Sequence, residues 1–105
     1  MRRGDLRRAL ALVRRRTHHR PLLRVRLMER PGCELCGEAF RALRRISLDR
    51  PLEVERVDIS AGPRLVRDRY ELRIPVLVVD GDELDAAGLE DPAIVRWLLE
   101  VAPDR

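Results

Sequence analysis

A chain of 105 residues suits a single domain and buries one modest core. Its composition, 45% hydrophobic and 38% charged, is globular, and no apolar run approaches the roughly 20 residues needed to cross a bilayer. The net charge of +4 is lopsided: residues 1–30 hold 11 Arg and 2 acids, a net +9, while residues 31–105 hold 11 Arg and 16 acids, a net −5. Every one of the 22 basic residues is Arg, which reads as the coding bias of a GC-rich genome rather than as a functional signal.

Residues 1–20 form an Arg-rich N-terminal extension in which Leu6, Leu10 and Val13 have helical spacing. A solvated terminus is expected there. Docking to nucleic acid is not, because no aromatic residue interleaves the arginines to stack on bases. The apolar stretch Ala9–Val13 is too short for a signal-peptide core, and no small-residue cleavage site follows it. A cytoplasmic protein is therefore expected, monomeric and without a membrane span.

Arg20-Pro21 opens the domain, residues 21–105. Leu23, Val25 and Leu27 alternate with Arg24 and Arg26, the pattern of a strand with one wet face. Pro31-Gly32 ends it. The next helix lines up Cys36, Ala39, Phe40, Leu43 and Ile46 on one apolar stripe. Leu52, Val54, Val57 and Ile59 predict a second strand. Gly62-Pro63 opens a short helix carrying Leu65, Val66, Tyr70 and Leu72. The nearly all-apolar run Ile74–Val79 suits a strand covered on both faces. Asp80-Gly81 signals a hairpin, with Glu83-Leu84 as a short edge strand. The last helix takes Asp91 as N-cap and Pro92 as its first residue, and it ends before Pro103. A helix between the first two strands implies a parallel crossover, and a tight turn between the last two implies an antiparallel pair. The expected architecture is α/β, a small mixed sheet between helical layers.

Cys33 and Cys36 are the chain's two cysteines. A Cys-x-x-Cys between a strand and a helix opens and closes as a disulfide, and in a reducing compartment such a pair is more often catalytic or metal-binding than a structural staple. Cys33 belongs at the helix N-terminus, where free N–H groups and the dipole favour a thiolate. Arg30 adds positive charge and Glu34 opposes it, so a moderately lowered thiol pKa is expected. Cys36, one turn on and on the apolar stripe, is expected to be more buried and to act as the resolving thiol.

Arg30-Pro31-Gly32-Cys33-Glu34-Leu35-Cys36, Arg73-Ile74-Pro75-Val76-Leu77 and Val57-Asp58-Ile59 together resemble a glutaredoxin-like member of the thioredoxin fold, over about Leu22 to Leu99. The likeness is closest to the compact bacterial proteins of that kind. It implies a β-α-β-α-β-β-α order with a four-stranded mixed sheet, and a thiol–disulfide oxidoreductase with Cys33 and Cys36 as catalytic pair. It also implies a cis Pro75 beside the disulfide, with the backbone of Ile74 offered to substrate main chain and Arg30 nearby. No bound cofactor is implied. Glutathione is the implied electron donor, and a disulfide-containing protein or a glutathione mixed disulfide is the implied partner. The sequence departs from glutaredoxins at Asp80–Gly88, where their Gly-Gly pair is missing and four acids stand, and at Glu34-Leu35 between the cysteines.

Two other classes stay open at this point: a redox-inactive binding or adaptor module on the same fold, and a metal or iron–sulfur carrier through the cysteines. His18-His19 is a poor ligand spacing to complete a zinc site. Tyr70 and Trp97 are expected to pack, and Asp80, Asp82, Glu83 and Asp85 to form a solvated turn.

Overall fold

In the computed structural model, residues 22–103 are described. The Arg-rich extension, its proposed helix on Leu6, Leu10 and Val13, and His18-His19 lie outside them. The elements are β1 (Leu23–Glu29), α1 (Glu34–Ile46), β2 (Leu52–Asp58), a 3-10 turn (Ile59–Ala61), α2 (Arg64–Tyr70), β3 (Val76–Val79), β4 (Asp82–Asp85) and α3 (Asp91–Val101). The sheet order is β2-β1-β3-β4. β1 pairs with β2 in parallel, and β3 is antiparallel to both β1 and β4. This is the four-stranded mixed sheet the element order predicts.

Alternation divides the core. Val25, Leu27, Leu77 and Val79 point to one face and pack under α1 and α3 with Ala39, Leu43, Ile94 and Leu98. Met28 and Val76 point the other way and join Ile59 and Tyr70. That second face is covered at one end alone, because the 3-10 turn and the short α2 reach no further. Its open end shares the face with Met28 but carries the cross-strand pairs Arg24–Glu53 and Arg26–Glu55. The wet face read from Arg24 and Arg26 is this uncovered half. β3, central and apolar, is buried from both sides except for a partly exposed Val78.

Three local expectations are corrected. Ile59 leaves the strand to start the 3-10 turn, where Asp58 caps it by accepting the Ser60 N–H at 2.9 Å. Leu72 falls beyond the short helix and is 95% exposed, while Leu65, within it, is 83% exposed. α2 turns Val66 and Tyr70 inward instead and ends at Tyr70 before Leu72 is reached. In α3 the N-cap is Glu90, and Asp91 and Pro92 fill the first turn. Asp91 does not cap because Arg45 of α1 holds its carboxylate with two bonds, at 2.8 and 2.9 Å.

Candidate active site

The loop Arg30–Cys33 turns sharply from β1 into α1. Gly32 stands at φ +76°, in the left-handed region where a side chain is strained, which accounts for Gly at this position. Cys33 then caps α1 with extended backbone, φ −88° and ψ 106°. Its Sγ accepts the Cys36 N–H at 3.1 Å, and its carbonyl accepts the Gly37 N–H at 3.2 Å. A sulfur thus takes the place a Ser or Asp oxygen takes in an ordinary N-cap.

Cys33 and Cys36 are joined as a disulfide across a Cα–Cα distance of 5.2 Å. Their surroundings differ. Cys33 is half-buried, whereas Cys36 is completely buried on the stripe that packs α1 onto the sheet. Of the two, Cys33 is therefore the residue that solvent reaches. On reduction the Cys33 sulfur keeps a helix N–H aimed at it and the positive end of the α1 dipole, both of which favour the thiolate.

A clamp that the sequence reading missed lies under the same helix. Glu29, the last residue of β1, is the one buried charged residue among those described. Its two oxygens accept from Arg56 of β2 at 2.6 and 2.9 Å. The Arg56 guanidinium sits 4.0 Å above the Phe40 ring of α1. The Glu29 bond pushes the Arg56 pKa further up, so this cation stays charged at every working pH. The signal was faint: a Glu-Arg interruption in a strand pattern. Pairing Arg56 with Glu29 requires the parallel register that sets Leu27 beside Arg56.

β1 ends where β3 begins, with Met28 opposite Val76, so the Cys33 loop and the Ile74–Pro75 segment lie at the same end of the sheet. The Ile74–Pro75 bond is cis. Pro75 is fully buried and Ile74 half-buried, so the proline ring shapes the segment from inside. The Ile74 N–H donates to Tyr70 O at 3.1 Å, the Arg73 N–H to the same oxygen at 2.8 Å, and the Ala86 N–H to Pro75 O at 2.9 Å. Arg30 is exposed on the opposing loop.

The acids of the β3–β4 hairpin are not a plain solvated turn. Glu83 is 15% exposed at its side chain. One of its oxygens accepts from Arg69 at 3.0 Å and from the Tyr70 hydroxyl at 2.5 Å, and the other accepts from Arg73 at 3.1 and 3.2 Å. Arg73 also reaches Asp85 at 2.8 Å. The Arg69 bond, with Tyr70 and Arg73 behind it, holds the Glu83 carboxyl down to about 2. Burial first, and then Glu83, pushes the Tyr70 phenol up. Tyr70 packs as expected, and Trp97 lies partly buried against the core.

A cleft lies elsewhere, between the C-terminal end of α1 and α3, lined by Ile46, Asp49, Arg50, Val95 and Leu98. It sits about 20 Å from the cysteines along α1. Its Arg50 is spent on the last carbonyls of α3, donating to Ala102 O at 2.5 Å. Neither cysteine lines it. Among the described residues no three His, Cys, Asp or Glu converge to hold a metal, and no helix is long and apolar enough to cross a membrane.

The family model described as glutaredoxin-like domain (DUF836) matches residues 24–99. The chain is also similar to a solved structure, target protein XcR50 from X. campestris. The two share 30% sequence identity with a TM-score of 0.62, over 75% of this chain and 99% of that one. No curated protein matches the chain. The match and the sheet order together make the fold thioredoxin-like.

Proposed function

We propose that this chain, which belongs to the glutaredoxin-like domain family, is a thiol–disulfide oxidoreductase that reduces or exchanges disulfides in the cytoplasm. The observation that carries this reading is the asymmetry of the pair: an accessible Cys33 at a helix N-cap bonded to a fully buried Cys36. In the reduced protein the Cys33 thiolate attacks a substrate disulfide, forms a mixed disulfide and expels one substrate thiolate. Cys36, deprotonated as it attacks, displaces the second substrate thiolate and closes the Cys33–Cys36 bond. Two electrons pass to the substrate. An external thiol, glutathione or a dithiol protein, returns them by the reverse exchange.

The Cys36 N–H that meets Sγ of Cys33 favours the thiolate both as nucleophile and as leaving group. Glu34, in the first turn of α1, steadies the helix but sets a negative charge beside the thiolate.

The test is intact mass spectrometry of wild type, Cys33→Ser and Cys36→Ser after equilibration in graded glutathione buffers. Wild type is expected to interconvert between dithiol and internal disulfide. Cys36→Ser is expected to hold one glutathione adduct, on Cys33, and Cys33→Ser to cycle no further. Cysteines that stay unpaired and unmodified in every buffer would refute the oxidoreductase and favour an adaptor role.

A further inference from the structure

The cleft at the C-terminal end of α1 takes no part in the thiol chemistry. Ile46 and Leu98 are its buried floor, and Val95 and Leu99, one turn apart on α3, are a wall. The wall residues are 37% and 47% exposed, so they turn apolar surface to solvent. The cleft encloses about 420 Å³, within the range that seats a ligand or a few side chains.

The chain enters its domain beside this cleft. The Leu23 N–H donates to Pro51 O at 3.2 Å, and Arg50, the residue before Pro51, lines the cleft. Residues 1–21 precede that anchor. Among them Leu6, Leu10 and Val13 recur at i, i+4 and i+7, which on a helix makes one stripe about 10 Å long. The eight residues from 14 to 21 span up to about 26 Å when extended, enough to bring the stripe back to a cleft next to its own anchor. Charge favours the same encounter: residues 1–20 hold 8 Arg and 1 acid, a net +7, and residues 21–105 hold 14 Arg and 17 acids, a net −3. The open half of the second sheet face is a poorer seat for leucines, because it presents the Arg24–Glu53 and Arg26–Glu55 pairs.

We propose that the Arg-rich segment of residues 1–20 docks on its own domain, as a helix that lays Leu6, Leu10 and Val13 against Val95 and Leu99 in the α1–α3 cleft. The tether holds the segment at an effective concentration of about a millimolar, so a small apolar seat suffices. The arginines on its other faces stay in water beside a domain of opposite charge. The seat is about 20 Å from the cysteines along α1, so the docked segment leaves the sulfurs open. The docking does not depend on the oxidoreductase reading.

The test is amide hydrogen exchange, read by mass spectrometry on the full chain, with light scattering to give its mass over a range of concentrations. Wild type is compared with Leu10→Gln, Leu99→Gln, Val95→Gln and Leu72→Gln. Gln keeps a good helix propensity, so each change removes apolar contact rather than helix. In wild type, amides 6–13 are expected to exchange at least roughly tenfold slower than in a free peptide of that sequence, in a monomer. Leu10→Gln and Leu99→Gln should each abolish the protection, and Val95→Gln repeats the cleft arm should Leu99→Gln fold poorly. Leu72→Gln, which lies outside the cleft, should keep it. In urea unfolding, Leu10→Gln combined with Leu99→Gln should cost no more than the larger single, because both remove one contact. Amides 6–13 that are unprotected in wild type overturn the proposal. So does protection that survives both cleft variants, or that Leu72→Gln also removes. Protection that grows with concentration alongside a doubled mass overturns it in favour of a second copy as the occupant.

Discussion

Glu83 shows how much a single side chain's surroundings alter its meaning. On paper it is one of four acids in a turn. In the fold its carboxyl accepts from two arginines and a tyrosine, and its pKa falls to about 2 from an ordinary 4.5. A carboxylate depressed in the folded state contributes stability above its unfolded pKa, and loses it as pH falls through the folded value. The contribution is therefore full above about pH 4.5 and gone below about pH 2. Glu83→Gln is expected to cost about 1 kcal/mol at pH 7, the scale of charge-assisted bonds near the surface. Urea unfolding of both proteins at pH 7 and at pH 2 checks this. The gap should narrow at the lower pH, where the folded-state carboxyl is about half protonated, and a gap of equal size at both would disprove the linkage. Leu72 makes the opposite point: an apolar residue at a plausible helical position is 95% exposed because α2 stops two residues earlier.

At the scale of elements, α1 joins the cysteine pair to four residues of the larger core cluster. Its N-cap is a cysteine, its first turn holds the buried partner, and its stripe of Ala39, Ala42, Leu43 and Ile46 seats it on β1 and β3. Gly37 sits just inside the first turn with an ordinary helical backbone. A Cβ there would meet Arg41 Nη1 at 3.3 Å, the movable end of a long side chain. Helix interiors favour Ala over Gly by about 0.5–1 kcal/mol. Gly37→Ala is therefore expected to stabilise the protein by that amount with the Cys33–Cys36 potential preserved. Denaturant titration together with a redox titration measures both, and a destabilised variant would show that Arg41 cannot give way. β2 illustrates the reverse economy: an edge strand whose outward residues are charged, which discourages pairing with another edge.

At the scale of the whole molecule, the sheet separates two apolar clusters. Leu43 belongs to the one under α1 and α3, and Ile59 to the smaller one under the 3-10 turn and α2. Both side chains are essentially fully buried. Truncation of each to Ala is expected to cost about 2–5 kcal/mol, by lost transfer energy and a residual cavity. Because they lie on opposite faces and share no cluster, the double variant should lose the sum to within about 0.5 kcal/mol. Equilibrium unfolding of the two singles and the double decides it, and a large coupling term would mean that the sheet transmits strain between its faces.

Much of this was legible in the linear chain because it depends on local chemistry. Alternating Val25 and Leu27, the i, i+3, i+7 stripe of α1, Pro-Gly before Cys33 and Asp80-Gly81 at the hairpin each act within a few residues. They sufficed for element order, strand sense and the place of the cysteines. Boundaries slipped where a distant partner competed, as at Asp91, which binds Arg45 instead of capping α3, and at Ile59, which leaves β2 for the second core. What only the tertiary structure decided are contacts between residues far apart in sequence. The Glu29–Arg56–Phe40 clamp, the Arg73 fork on Glu83 and Asp85, and the half-covered second face all follow from strand register and from the reach of one short helix. A charge's type is written in the sequence, but which opposite charge it meets, and whether water remains between them, is set when the chain closes on itself.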